Sequence, residues 1–115
     1  MKDLLFLLSS GFTDGEGAPY YCPHCAIFEG LVALYPKLAE ELTIRRVAYP
    51  RPRPEIVGLL GEENQSCPVL ILHQEPPASC SDLAWRKANG RPFLDDPTAI
   101  GHYLARVYGV PRPHS

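Results

Sequence analysis

Cys22-Pro23-His24-Cys25 stands where one hydrophobic periodicity gives way to another, and that junction constrains the fold more than any other stretch of the chain. Before it lies Leu4-Leu5-Phe6-Leu7-Leu8, a continuous apolar run of strand length, and then a loop from Ser9 to Pro19 rich in Gly, Ser, Asp and Thr. After it, Ile27, Phe28, Leu31, Val32, Leu34, Tyr35, Leu38 and Leu42 recur at helical spacing, with Glu29, Lys37, Glu40 and Glu41 on the opposite face. The motif therefore opens a helix that follows a buried strand. Two thiols three positions apart at a first helical turn can close a small disulfide ring, and the unbonded N–H groups of that turn favour negative charge on Cys22. The thiolate is the form of cysteine that attacks disulfides. Pro23 suits the first helical position because it lacks the N–H that would otherwise go unbonded.

The remaining elements follow from pattern and punctuation. Pro36 removes a helical hydrogen bond, so the first helix either kinks there or restarts with Pro36 in a new first turn. Thr43 to Ala48 reads as a second strand, and Pro50-Arg51-Pro52-Arg53-Pro54 as an extended connection. Glu55 to Leu60 makes a short helix with Gly61 as a left-handed cap, and Pro68-Val69-Leu70-Ile71-Leu72 a third strand covered on both faces. Residues 73–90 read as an insertion ending in an Asn89-Gly90 turn signal. Arg91 to Leu94 forms a short fourth strand, paired in a hairpin with part of Leu83 to Lys87. Asp95 or Asp96 caps a last helix with Ile100, Tyr103, Leu104 and Val107 on its inner face, ended by Gly109, and residues 110–115 form a tail. The whole of 1–115 is expected to be a single domain.

Composition removes several function classes. The 115 residues carry 11 Lys and Arg against 13 Asp and Glu, a formal charge of −2, and no basic stripe accumulates for nucleic acid or an anionic bilayer. Asp3 interrupts the positive start that a signal peptide needs, the apolar run is short, and no small-residue cleavage site follows. Four cysteines are too few for a disulfide-stapled secreted mini-domain. A Cys-x-x-Cys without an export signal reads as redox-active or metal-binding, and the expected compartment is the cytoplasm. Structural zinc usually takes four ligands as two close pairs, and the chain has one such pair, with Cys67, His24 and His73 as further soft ligands.

The order of elements, with Cys22-Pro23-His24-Cys25 between the first strand and helix and a proline opening the third strand, resembles the thioredoxin-like superfamily. Cys67-Pro68-Val69-Leu70 is similar to the cis-proline segment of glutaredoxins and of the N-terminal domain of glutathione transferases. Ala99-Ile100-Gly101-His102-Tyr103-Leu104-Ala105-Arg106-Val107-Tyr108-Gly109 is similar to the last helix of that transferase domain. The chain also resembles a small bacterial family of thioredoxin-like domains with no assigned reaction. The resemblance implies an α/β fold of order βαβαββα, with a mixed four-stranded sheet flanked by helices.

It also implies a thiol–disulfide oxidoreductase in which Cys22 attacks and Cys25 resolves the mixed disulfide. His24, if protonated, would stabilise a thiolate beside it; a solvent-facing histidine is the plainer alternative. A cis peptide bond before Pro68 would present the backbone of Cys67 to an extended substrate. Cys67 itself is either a third participant near Cys22 or a small apolar packing residue. Arg51 and Arg53 would grip a substrate carboxylate, such as the glycine end of glutathione, and Asp96 a substrate amino group. Their structural alternatives are solvated loop charges and a helix cap. No resident cofactor is expected, glutathione being a co-substrate at most. The expected partner is a protein or glutathione disulfide. The other readings are a non-catalytic domain for binding or homodimerisation, and a zinc or iron–sulfur protein.

Overall fold

Leu4–Leu8 forms β1, whose Leu5 and Leu7 are fully buried, and the sheet is built outward from it on both sides. On one side it pairs in parallel with β2 (Thr43–Val47). On the other it pairs antiparallel with β3 (Val69–Ile71), which is buried along its whole length. The computed structural model describes residues 1–114, so the last residue of the expected tail lies outside the described residues. Between the strands come α1 (Pro23–Leu34), α2 (Lys37–Glu41) and α3 (Pro54–Leu60), and α4 (Pro97–Tyr108) follows the last strand.

The sheet has five strands and not the expected four. Arg86–Ala88 forms β4 and Arg91–Leu94 forms β5, and the order across the sheet is β2-β1-β3-β5-β4. The hairpin joining β4 to β5 turns on Asn89 and Gly90, both at positive φ (50° and 76°), as the Asn-Gly signal implies. Residues 73–90 are thus not a plain insertion: they carry the edge strand and a 3-10 turn at Ala78–Cys80. The hairpin partner expected within Leu83 to Lys87 is this edge strand, shifted to Arg86–Ala88.

Pro36 restarts the helix and does not kink it: α1 ends at Leu34, and Pro36 sits at the cap of α2. Gly61 closes α3 at positive φ (87°), but with ψ of 168° it is extended and not left-handed helical. Asp96, not Asp95, caps α4 by accepting the Ala99 N–H at 2.9 Å. Val107, expected on the inner face of α4, is exposed, whereas Ile100, Tyr103 and Leu104 are buried there. The core joins β1, β3 and β5 to Phe28 of α1, Leu38 of α2, Ile56 of α3 and this face of α4.

Candidate functional site

The strand-to-helix junction sets the site. Cys22 has extended backbone (φ −80°, ψ 114°) and is the N-cap of α1, with Pro23 in the first turn. Its Sγ accepts the Cys25 N–H at 3.3 Å, the bond that a Ser or Asp cap ordinarily makes with an oxygen. No acidic residue occupies the first turn, so nothing on the helix itself repels a negative sulfur there. Cys22 is half-buried and His24 is exposed beside it.

Cys25 faces the other way. It is 2 % exposed and its Sγ accepts the Leu8 N–H of β1 at 3.4 Å. Burial, above all, pushes its thiol up to about 12; a hydrogen bond to Cys22 and the Cys22 charge add to this, and the Leu8 amide opposes it. Cys25 is therefore held neutral while Cys22 meets solvent.

The Cys67–Pro68 peptide bond is cis, as the resemblance implied, and so is Arg51–Pro52, which nothing in the sequence singled out. Pro68 is buried and Cys67 half-buried. Burial pushes the Cys67 thiol up to about 11, the Cys22 charge adds to this, and the charges of Arg53 and Arg51 oppose it. Cys67 thus lies within electrostatic reach of Cys22, Cys25 and the two arginines.

Arg53 is not a solvated loop charge. It is 5 % exposed, its Nε and Nη2 donate to the Tyr49 carbonyl at 3.0 and 2.7 Å, and its Nη1 donates to the Gln65 carbonyl at 2.5 Å. Its own N–H donates to Gln65 Oε1 at 2.7 Å, and Gln65 Nε2 donates to the Glu62 carbonyl. The guanidinium clamps the proline-rich loop to the segment before Cys67, which removes it from the role of carboxylate grip. Arg51 is exposed. Asp96 is engaged as the cap of α4, and Asp95 pairs with Arg86 at 2.6 Å. Gln65 is the buried half of the Arg53 clamp.

An aromatic cluster next to Cys22 went unread in the sequence. Phe12 and Tyr20 pair across a β-bridge in the loop before the motif, and the Phe12 ring stacks on Tyr49 with centroids 4.4 Å apart and planes 2° from parallel. The Arg53 guanidinium lies over the Tyr49 ring, 5.6 Å from its centroid. The clue in the sequence was three aromatics, Phe12 and then Tyr20 and Tyr21 directly before Cys22, in a loop otherwise made of small and polar residues.

Among the described residues no three His, Cys, Asp or Glu side chains are grouped to hold a metal ion. No helix of the described residues is long and apolar enough to cross a membrane. A groove of about 600 Å³ runs between α1, the start of α4 and residues 111–114, lined by Ile27, Leu31, Leu34, Pro97 and Pro113. It lies apart from the aromatic cluster.

A mixed α/β domain with a helix-capping cysteine above a buried one is the class that fold and site define. Residues 2–112 match the family described as "Protein of unknown function (DUF3088)", and the chain belongs to that family. No curated protein and no solved structure matches it.

Proposed function

We propose that this protein is a cytoplasmic thiol–disulfide oxidoreductase of thioredoxin-like, glutaredoxin-like fold. The observation that carries the reading is the division of labour between the two thiols: Cys22 caps α1 at the surface, and Cys25 is buried three residues on. The element order, the cis bond before Pro68 and the nearness of Cys67 to Cys22 support it.

The chemistry has two displacements. The Cys22 thiolate attacks one sulfur of a substrate disulfide, forming a mixed disulfide and expelling the other sulfur as a thiolate that takes up a proton. Cys25 then loses its proton and attacks Cys22 Sγ, which closes the Cys22–Cys25 disulfide and releases the second substrate thiol. Two electrons pass from the protein to the substrate, and an external dithiol returns them.

Two of the influences holding Cys25 protonated, its hydrogen bond to Cys22 and the negative charge there, disappear once Cys22 is in a mixed disulfide. The Leu8 N–H bond, which favours the thiolate, remains. Cys25 therefore becomes easier to ionise at the step that needs it, and resists doing so earlier. His24 is exposed two residues after Cys22 and, when protonated, would stabilise a thiolate there.

The test is reduction of 2-hydroxyethyl disulfide with dithiothreitol as the electron source. Cys22→Ser is expected to abolish turnover with an unchanged circular dichroism spectrum, and Cys25→Ser to accumulate a mixed disulfide visible by mass spectrometry. Full turnover in Cys22→Ser would end the assignment and leave the two cysteines as packing residues.

A further inference from the structure

The loop that delivers the chain to Cys22 does more than connect. Tyr20 and Tyr21 are 51 % and 63 % exposed, and they are the two residues immediately before the reactive cysteine. Tyrosines left this open cover no core, yet the surface they form is not loose. The bridge to Phe12 fixes the Tyr20 backbone through hydrogen bonds of 2.7 to 3.2 Å, and the Phe12 ring lies flat on Tyr49. Tyr49 is held in turn by the buried Arg53. Exposed Tyr20 and Tyr21 directly precede the attacking cysteine, and part-buried Phe12 and Tyr49 brace the loop that carries them; such a pair of open rings matches an apolar side chain beside the substrate's own sulfur.

Of the groups that the resemblance offers to glutathione, Arg51 is exposed and the others are engaged. Its two carboxylates and its γ-glutamyl amino group call for cations and a carboxylate, but Arg53 is bound to two carbonyls, Asp96 caps α4 and Asp95 pairs with Arg86. Asp14 and Glu16 add negative charge to the same loop as Tyr20. Glutathione, moreover, offers no apolar side chain to an aromatic face.

We propose that Tyr20 and Tyr21, on a loop braced by Phe12 and Tyr49, form a recognition surface for polypeptide disulfides carrying an aromatic or large aliphatic residue next to the cysteine. The inference rests on the oxidoreductase reading and names its substrate class. Cys22 attacks the disulfide sulfur of the bound polypeptide, a mixed disulfide forms, and the other cysteine leaves as a thiol.

The experiment measures the second-order rate at which the fully reduced protein attacks three disulfides. These are a dimer of acetyl-Gly-Phe-Cys-Gly-amide, the same dimer with Ser for Phe, and 2-hydroxyethyl disulfide. The Phe peptide is expected to react about tenfold faster than the Ser peptide, the scale of one apolar side chain seated on an aromatic face. The double variant Tyr20→Ala, Tyr21→Ala is expected to bring that ratio to about one, whereas Leu34→Ala, an exposed apolar residue at the far end of α1, keeps it. A ratio near one in the unaltered protein, or a ratio that survives loss of both tyrosines, overturns the recognition surface while leaving the oxidoreductase intact. No reaction with any of the three overturns both.

Discussion

Cys25 shows how much a single position can decide. As the third residue of α1 it is turned under the helix against β1, where its sulfur meets the Leu8 amide and not water. Its thiol stays protonated up to about 12, so it binds a proton in the folded state at pH values where an unfolded cysteine has lost one. The consequence has a definite sign. Below the ordinary thiol range of roughly 8.5 both states are protonated and stability is unaffected; as pH rises above it the unfolded state gains charge and the folded state does not, so stability falls. Cys67, pushed up to about 11, acts in the same sense. Urea midpoints of the reduced protein are expected to drop between pH 8 and about pH 11, and to drop less in Cys25→Ala. Equal slopes for the two proteins would show that Cys25 is not buried as described. Arg53 carries a related lesson. Its expected exposure was wrong because four of its nitrogens find backbone and side-chain acceptors that only tertiary folding assembles.

Among the elements, those with strong local chemistry were legible and those made by distant neighbours were not. The β1 run, the α1 start at the cysteine motif, the restart after Pro36 and the Asn89-Gly90 turn are written in residues that act locally. The edge strand β4 was legible only as a hairpin partner within Leu83 to Lys87, and not in its bounds at Arg86–Ala88. Arg86 and Lys87 are drawn into the sheet by β5 and by pairing to Asp95 and Glu75, contacts to which local periodicity is blind. The cysteine pair of the site was visible for the same reason that α1 was, whereas the aromatic cluster was hidden because Phe12 and Tyr49 meet across a long stretch of sequence. One element-level contact yields a clean prediction. Residues 110–114 fold back along α4, and a Cβ built on buried Gly101 would sit 2.5 Å from Cγ of Pro113. Gly101→Ala is expected to cost about 1–3 kcal/mol by overpacking, despite its better helix propensity. Pro113→Ala removes the clashing ring atoms, so the cost is expected to shrink or reverse in that background. A double-mutant cycle in urea reads the coupling, and additive effects would place the tail elsewhere.

At the scale of the whole molecule, the two ends of the fold are tied by one carboxylate. Tyr103 and Tyr108 of α4 both donate to Asp3 Oδ2, at 2.6 and 2.5 Å, across 100 and 105 residues of sequence. Burial and these bonds hold both tyrosine hydroxyls above their ordinary range. Asp3→Ala is expected to lower stability by about 1–3 kcal/mol, because it strands two hydroxyls, and Asp3→Asn by less, since the amide oxygen still accepts. Unchanged urea midpoints in both variants would count against the tie.

The same tie orders events during synthesis. β1 is made well before α4, but the hydroxyls that anchor its leading end belong to that later helix. A nascent chain paused before Tyr103 holds β1 in a sheet whose β3 and β5 have not received α4. Protection of β1 from proteases is therefore a property that arrives late, only once α4 has been made.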